Sequence, residues 1–207
     1  MKSELNIGLI TLADWRYNEI LDITSPNKSR YCQRHGYYNI EIRNSLDESR
    51  PTSWSKILAI YSYLGRFDWL FWNDPDSVIM NSVIKLEDII DAVSIDDNVC
   101  SIFNEDDNGL NAGVFLIKRC KRSHDLLQTT YSKTEYIHHQ WWEQAAIRSL
   151  DPLVYGIRTV PAQVMNSHPT WGSAKYKEGD FIIHYSGSGG NCDFVRQGLR
   201  ECVAKAK

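Results

Sequence analysis

The sequence predicts an α/β fold in which helices flank a largely parallel sheet, and three observations carry that expectation. Strand-like and helix-like segments alternate as strand–helix–strand–helix–strand within the first 80 residues, the pattern of a parallel, right-handed half-sheet. Trp69-Leu70-Phe71-Trp72 is a run of four large apolar residues, as in a strand buried on both faces. That run passes directly into Asn73-Asp74-Pro75-Asp76-Ser77, at the strand end where open α/β sheets bind ligands.

In chain order, Ile7 to Leu12 is a short apolar strand, and Ala13-Asp14-Trp15 opens the loop after it. Ser25-Pro26 has the chemistry of a helix start, with Ser as N-cap and Pro at the first helical position. The helix should stop at His35-Gly36, where Gly takes the left-handed cap. Tyr38 to Ile42 alternates as a second strand. Trp54, Ile57, Leu58, Tyr61 and Leu64 form an apolar helical stripe ending at Gly65. Beyond Asn81, Ile84 to Val93 suggests a short helix, and Val99 to Phe103 a strand. Asn104-Glu105-Asp106-Asp107-Asn108-Gly109 reads as a solvated loop. Asn111-Ala112-Gly113 then leads into the apolar run Val114 to Ile117. Helices are expected at Ser123–Tyr131 and His139–Leu150, and a late strand at Phe181–Tyr185. A tail helix carrying Phe194, Val195, Leu199 and Val203 should be capped by Asn191. No repeat, low-complexity tract or linker divides the chain, so residues 1–207 are expected to form one domain.

The chemistry concentrates at Asp74 and Asp76. Pro75 offers no backbone donor and holds Asp74 extended, so the two carboxylates at i and i+2 should project to the same side. No basic residue lies between Trp69 and Ile84, so the two acids would repel unless a cation sat between them. Hard oxygen ligands of this number suit Mn²⁺ or Mg²⁺ shared with a substrate's phosphates. The same five residues also suit a plain polar turn. A Ca²⁺ loop is disfavoured because Ile79 stands where such a loop needs Gly. An aspartyl-phosphate phosphohydrolase would use one of the acids as nucleophile, but its pattern wants Gly-Thr where Ser77-Val78 stands.

Composition excludes other classes. An apolar fraction of 43% and a charged fraction of 24% are ordinary for a globular chain. A net charge of −3 without a basic stripe argues against nucleic acid as partner. The five cysteines are odd in number and lack metal-ligand spacing, which suits free thiols in a reducing compartment. No apolar run reaches membrane-spanning length and no signal-peptide core precedes Ile7. A soluble, cytoplasmic chain is the expectation.

Several short segments, in order, resemble the GT-A galactosyl/mannosyltransferase family that includes yeast Golgi transferases and plant xyloglucan xylosyltransferases. They are Tyr31 to Tyr37, Ser53-Trp54-Ser55-Lys56, Trp72 to Asn81, Asn111 to Leu116, Trp142-Glu143-Gln144-Ala145-Ala146 and His184-Tyr185-Ser186-Gly187. Together they reach from about residue 7 to residue 190. The resemblance implies a GT-A (Rossmann-like) fold with a mixed, mainly parallel central sheet. Residues 1–81 would form the nucleotide-binding half and 82–207 the acceptor-side half. It further implies Mn²⁺ (or Mg²⁺), a nucleoside-diphosphate sugar donor with UDP favoured, and retaining transfer to a hydroxyl of a glycan or glycoprotein.

By the same resemblance, Asp74, Asp76 and His184 would hold the metal. Thr11, Leu12 and Ala13 would line the nucleoside, and Asn111, Gly113, Gly187, Gly189 and Lys56 would approach the donor. Glu143 and Gln144 would be catalytic. Two departures stand out: Glu143 replaces the family's Asp, and Ser188-Gly189-Gly190 replace a Lys expected on the diphosphate. A non-catalytic nucleotide-sugar or glycan-binding module on the same fold is the alternative from another class.

The residues themselves leave choices open. His184 ends an apolar strand and could be a core histidine. Lys56 lies in a helix's first turn, where a cation opposes the dipole and hints at an anionic partner. Glu143, among Trp141, Trp142, Ala145 and Ala146, is a buried carboxylate that needs a reason. His138-His139 diverge on a helix and make a poor metal pair. Trp15 and Trp171 could stack on sugar or base, or serve the core.

Overall fold

A computed structural model describes residues 5–94, 98–170, 172–188 and 190–207. Gly189 and Trp171, both singled out above, lie outside them. The strands are β1 (Ile7–Leu12), β2 (Tyr38–Ile42), β3 (Trp69–Asn73), β4 (Ser77–Ile79), β5 (Ser101–Asp106), β6 (Gly109–Lys118), β7 (Ile157–Pro161) and β8 (Ile182–His184). The helices are α1 (Asn18–His35), α2 (Ser55–Tyr63), α3 (Leu86–Val93), α4 (Lys121–Ser132), α5 (Trp142–Arg148), α6 (Pro152–Tyr155) and α7 (Asp193–Lys205).

Six strands form one mixed sheet in the order β2-β1-β3-β6-β5-β7. β1 runs parallel to β2 and β3, and β5 parallel to β7, while β6 is antiparallel to both β3 and β5. β3 is buried along its whole length. Its Trp69 and Phe71 enter the core on one face, with Tyr31 of α1 and Leu86, Ile89 and Ile90 of α3. Leu70 and Trp72 enter the other, with Ile57 and Ile60 of α2, Leu126 of α4 and Ile147 of α5. This alternation is what a strand between two helical layers requires. A third cluster joins Ile20 of α1, Val78, Ile183, and Val195 and Leu199 of α7 over the small antiparallel sheet β4-β8.

Three expectations are corrected. The first helix begins at Asn18, and Pro26 lies inside it. Ile20, Leu21 and Thr24, all buried, anchor the two earlier turns. That packing outweighs the one hydrogen bond the proline removes. The supposed loop at Asn104–Gly109 is the tip of a hairpin. Asn104, Glu105 and Asp106 pair with Asn111, Leu110 and Gly109 after a register shift, and fully buried Asn104 donates to the Val114 carbonyl at 2.6 Å. Asn191 does not cap α7, whose N-cap is Cys192. Its amide instead donates to the Arg16 carbonyl and accepts from Arg196, tying the tail helix to the loop after β1.

Among the described residues no helix is long and apolar enough to cross a membrane. Gly36 does close α1, at φ 73°, donating to the Cys32 carbonyl, and a Cβ there would touch nothing within 4 Å. Gly36→Ala therefore tests the backbone alone. It should lower the unfolding free energy by about 1 kcal/mol in urea denaturation, whereas Gly65→Ala, with ordinary φ and equal space, should not.

Candidate active site

The site is assembled by two short strand ends. Pro75 ends the ladder of β3, and the chain turns within three residues into β4. Asp74 donates its N–H to the Gly113 carbonyl of β6 at 2.8 Å. Helix α1 grips the turn from below. Thr24 Oγ1 donates to the Pro75 carbonyl at 2.7 Å, Lys28 Nζ to the Asp74 carbonyl at 2.8 Å, and Asn27 both donates to and accepts from the backbone of Ile79. Lys28 is fully buried. Burial pulls its ammonium down to about 7, against the opposing pull of the Asp76 and Asp74 carboxylates.

β4 pairs antiparallel with β8 so that Ser77 faces His184. The imidazole therefore reaches the carboxylates: His184 Nε2 lies 3.2 Å from Asp76 Oδ1 and 3.8 Å from Asp74 Oδ2. The ligand atoms of the three residues all fall within 4.8 Å of one another. Gly113 makes room for the ring, because a Cβ there would collide with His184 Cε1. Burial disfavours the imidazolium, yet the Asp76 and Asp74 carboxylates outweigh it and raise the ring above its ordinary value.

These residues fit a divalent cation. His184 Nδ1 meets Asn166 Oδ1 at 2.8 Å, so with a proton on Nδ1 the Nε2 that faces the acids could exchange its own proton for a cation, the usual support for a metal-bound imidazole. Asp74 Oδ1 accepts from Trp72 Nε1 at 2.6 Å and pairs with Lys56 at 3.3 Å, leaving Oδ2 on the His184 side. Two carboxylate oxygens and one imidazole suit Mn²⁺, and Mg²⁺ less well.

Lys56 is not a free cation. Buried at 5% exposure, it donates to Glu143 Oε1 at 2.9 Å and to the Ala112 carbonyl at 2.8 Å, besides pairing with Asp74. The anionic partner expected of it is thus supplied by the chain. Burial lowers its affinity for a proton, and Asp74 and Glu143 more than restore it. Glu143 is also buried, and its Oε2 has no hydrogen-bond partner among the described residues. An orphaned buried carboxylate oxygen costs energy unless a ligand completes it. Gln144 uses its Oε1 to accept from Ala112 N at 2.9 Å, fixing α5 to β6.

A cavity of about 820 Å³ opens over this cluster. Leu12, Ala13, Lys56, Asp74, Asp76, Asn111, Gly113, Glu143, Gln144, His184 and Gly187 all border it. Thr11 does not. It belongs to β1, buried and paired with Glu41, rather than to the loop. Trp15 is 80% exposed and lies outside the lining, so it is not a core residue. Sequence reasoning overlooked Asn166 and Lys28. It also overlooked Asp14, a buried carboxylate that binds Arg16 Nε at 2.9 Å and Thr52 Oγ1 at 2.6 Å on the cavity wall. An acidic residue directly after the first strand was the signal available for Asp14. Asn166, in an irregular segment, gave none.

Comparison with known proteins decides the family. The galactosyl transferase GMA12/MNN10 family matches residues 9–97 and 91–194. The chain belongs to that family. An uncharacterized alpha-1,2-galactosyltransferase of Schizosaccharomyces pombe is 24% identical over 94% of this chain and 70% of its own length. A probable alpha-1,6-mannosyltransferase of Saccharomyces cerevisiae, MNN10, is 24% identical over 84% of this chain and 56% of its own. The chain spans between 54% and 70% of the length of these and related S. pombe proteins.

Among solved structures, a glycosyltransferase involved in glycosylation of the PBCV-1 major capsid shares the fold at TM-score 0.75. It is 15% identical, covering 96% of this chain and 98% of that one. The galactosyltransferase LgtC, solved with donor and acceptor sugar analogs, gives TM-score 0.65 at 15% identity, covering 97% and 96%. The fold is GT-A, and family membership sets aside the phosphohydrolase reading.

The buried ion pair makes its own prediction. Lys56→Met would strand two carboxylates and should destabilise by about 3–5 kcal/mol. Glu143→Gln should cost less, because Lys56 keeps Asp74 and the Ala112 carbonyl. Urea unfolding of both variants checks the order, and equal losses would contradict it.

Proposed function

We propose that the chain transfers a sugar from a nucleoside-diphosphate sugar, a UDP-sugar in preference, to a hydroxyl of a glycan or glycoprotein, with retention at the anomeric carbon. The observation that carries this reading is the convergence of Asp74, Asp76 and His184 on one cavity, at the carboxyl ends of β1 and β3, in a member of a glycosyltransferase family. The cavity's size falls within the range of about 300–1,000 Å³ usual for small-molecule sites.

Asp74, Asp76 and His184 would hold Mn²⁺ or Mg²⁺, which when bound neutralises the charge growing on the departing diphosphate. The remaining roles belong to the chain itself. Leu12 and Ala13 border the nucleoside, with Asp14 held beside them by Arg16 and Thr52. Gly187, at φ 66°, lets backbone approach the phosphates closely, and Gly189 is assigned with it as part of the glycine run that stands where the family has a Lys. Asn111 accepts from Gly113 N at 2.8 Å and so shapes the β6 backbone under the donor. Glu143 stands at the donor sugar. Its contact with Lys56 at 2.9 Å holds the carboxylate in place, and a carboxylate so placed stabilises positive charge developing at the anomeric carbon. Gln144 is catalytic only through position, since its carbonyl oxygen already holds Ala112.

Two measurements test this. UDP and Mn²⁺ should each stabilise weakly alone and strongly together, approaching about 2.7 kcal/mol at ~100 times the dissociation constant. Asp76→Asn and His184→Ala should lose that synergy. Additive thermal shifts in the native protein would refute a shared site.

Glu143→Gln should keep UDP–Mn²⁺ affinity while kcat and kcat/KM fall together by about 10²-fold or more. Unchanged turnover would remove Glu143 from the chemistry. UDP binding with no breakdown of any UDP-sugar would leave a binding module instead of an enzyme.

A further inference from the structure

The roles above leave unused the two tryptophans that lead into α5. Trp141 is 38% exposed and Trp142 43%, and both border the cavity that holds Asp74, Asp76 and Glu143. Indoles left half in water beside a polar cleft forgo burial that the core would otherwise supply, and exposed aromatic surface of this kind marks a binding face.

The backbone reinforces the point. Trp142 has φ 39°, the one positive value among the described non-glycine residues. A bulky side chain in that region is strained, and such strain persists where surroundings enforce it for function. The surroundings are visible. Trp142 N–H donates to the His139 carbonyl at 3.0 Å, and Trp141 N–H to His139 Nδ1 at 3.1 Å. The Arg148 guanidinium lies 4.9 Å over the Trp141 ring. It also packs under the β5–β6 hairpin, where a Cβ on Gly109 would sit 3.0 Å from Nη2. The strained turn, Arg148 and the hairpin thus form one supported unit.

The polar groups that share this lining define the ligand. Gln140 and Asn108 supply side-chain amides, while Asn111 donates to Asp106, the one carboxylate of the hairpin's contribution, at 3.0 Å. Flat ring faces beside side-chain amides match a pyranose, which has an apolar C–H face and a rim of hydroxyls. A carboxylate here, with Arg148 already laid against Trp141, favours an uncharged sugar over a sialylated or phosphorylated one. Glu143 follows Trp142 directly in sequence, and its Oε2 lacks a hydrogen-bond partner among the described residues.

We propose that Trp141 and Trp142 form the stacking platform for a pyranose of a neutral acceptor glycan, presenting its hydroxyl to the donor sugar beside Glu143. The assignment of that pyranose as acceptor rests on the transferase reading, whereas the platform as a saccharide site can be measured without it.

The test is binding of a panel of neutral gluco-, manno-, galacto- and xylo-oligosaccharides to the native protein and to Trp141→Ala, Trp142→Ala and Trp142→Phe. Each is measured by calorimetry with and without UDP and Mn²⁺, and circular dichroism confirms the fold of each variant. At least one oligosaccharide should bind, both alanine variants should bind it about tenfold more weakly or worse, and Trp142→Phe, which keeps a ring, should retain most of the affinity. Should an alanine variant not fold, quenching of indole fluorescence by the same oligosaccharide in the native protein replaces it. Loss in the alanine variants together with UDP–Mn²⁺ binding by the native protein supports both readings. Tryptophan-dependent saccharide binding without any UDP–Mn²⁺ binding keeps the platform and overturns the transferase. Saccharide binding indifferent to both tryptophans, or no saccharide binding beside intact UDP–Mn²⁺ binding, overturns the platform. No binding of either ligand overturns both.

Discussion

Everything at the site depends on the pairing of two three-residue strands, Ser77–Ile79 with Ile182–His184. Without it His184 would be more than a hundred residues away from Asp76 in an extended chain. With it the two side chains meet at 3.2 Å. So short a ladder is weak alone, and the structure reinforces it from three sides. Helix α1 clamps the Asp74–Ile79 backbone through Thr24, Asn27 and Lys28. Helix α7 packs Val195 and Leu199 beneath it. Ser167 adds a further rung beside Ile183, and Asn166 next to it fixes the imidazole. The tail helix therefore bears on the chemistry although it brings no residue to the cavity wall.

The same region concentrates buried charge. Asp74, Asp76 and Glu143 face Lys56, Lys28 and the imidazole within one connected network. Lys56 divides its ammonium between the acid of the β3 turn and the acid of α5, so it couples the Asp74 end of the cavity to the Glu143 end. A departure at position 143 fits this picture. Glu is longer than Asp by one methylene, and here the extra length lets one oxygen reach Lys56 while the other is left without a partner. The family's diphosphate lysine is absent from Ser188 to Gly190. Lys56 does not replace it, being already committed to Asp74, Glu143 and the Ala112 carbonyl.

Much of the fold was legible because its signals are local. Trp69–Trp72 had the unbroken apolar run of a doubly buried strand, Tyr38–Ile42 alternated, and Gly36 stood where a left-handed cap closes a helix. Errors arose where tertiary packing overrode local chemistry. Ser25-Pro26 has the residues of a helix start, yet Ile20 and Leu21 had a core to fill one turn earlier. Asn104 to Gly109 has loop composition, yet Asn104 is buried by bonding Val114 across the hairpin. β7 was missed because Ile157–Pro161 is a largely exposed edge strand ending in proline, as edges allow. At the site, the acids stood out by their spacing, and His184 by the family resemblance. Lys28 and Asn166 did not, because their roles are to hold backbone and ring from positions that only the folded chain brings near.

In the proposed function, Asp74, Asp76 and His184 form one metal site completed by the donor's diphosphate. Pulsed electron paramagnetic resonance of Mn²⁺ bound to the protein with UDP tests it most directly. Such a site gives a coupling to a single imidazole nitrogen that shifts with ¹⁵N-histidine labelling, vanishes in His184→Ala, and is accompanied by phosphorus couplings from UDP. Bound Mn²⁺ that shows phosphorus but no nitrogen, or nitrogen that survives His184→Ala, would contradict it.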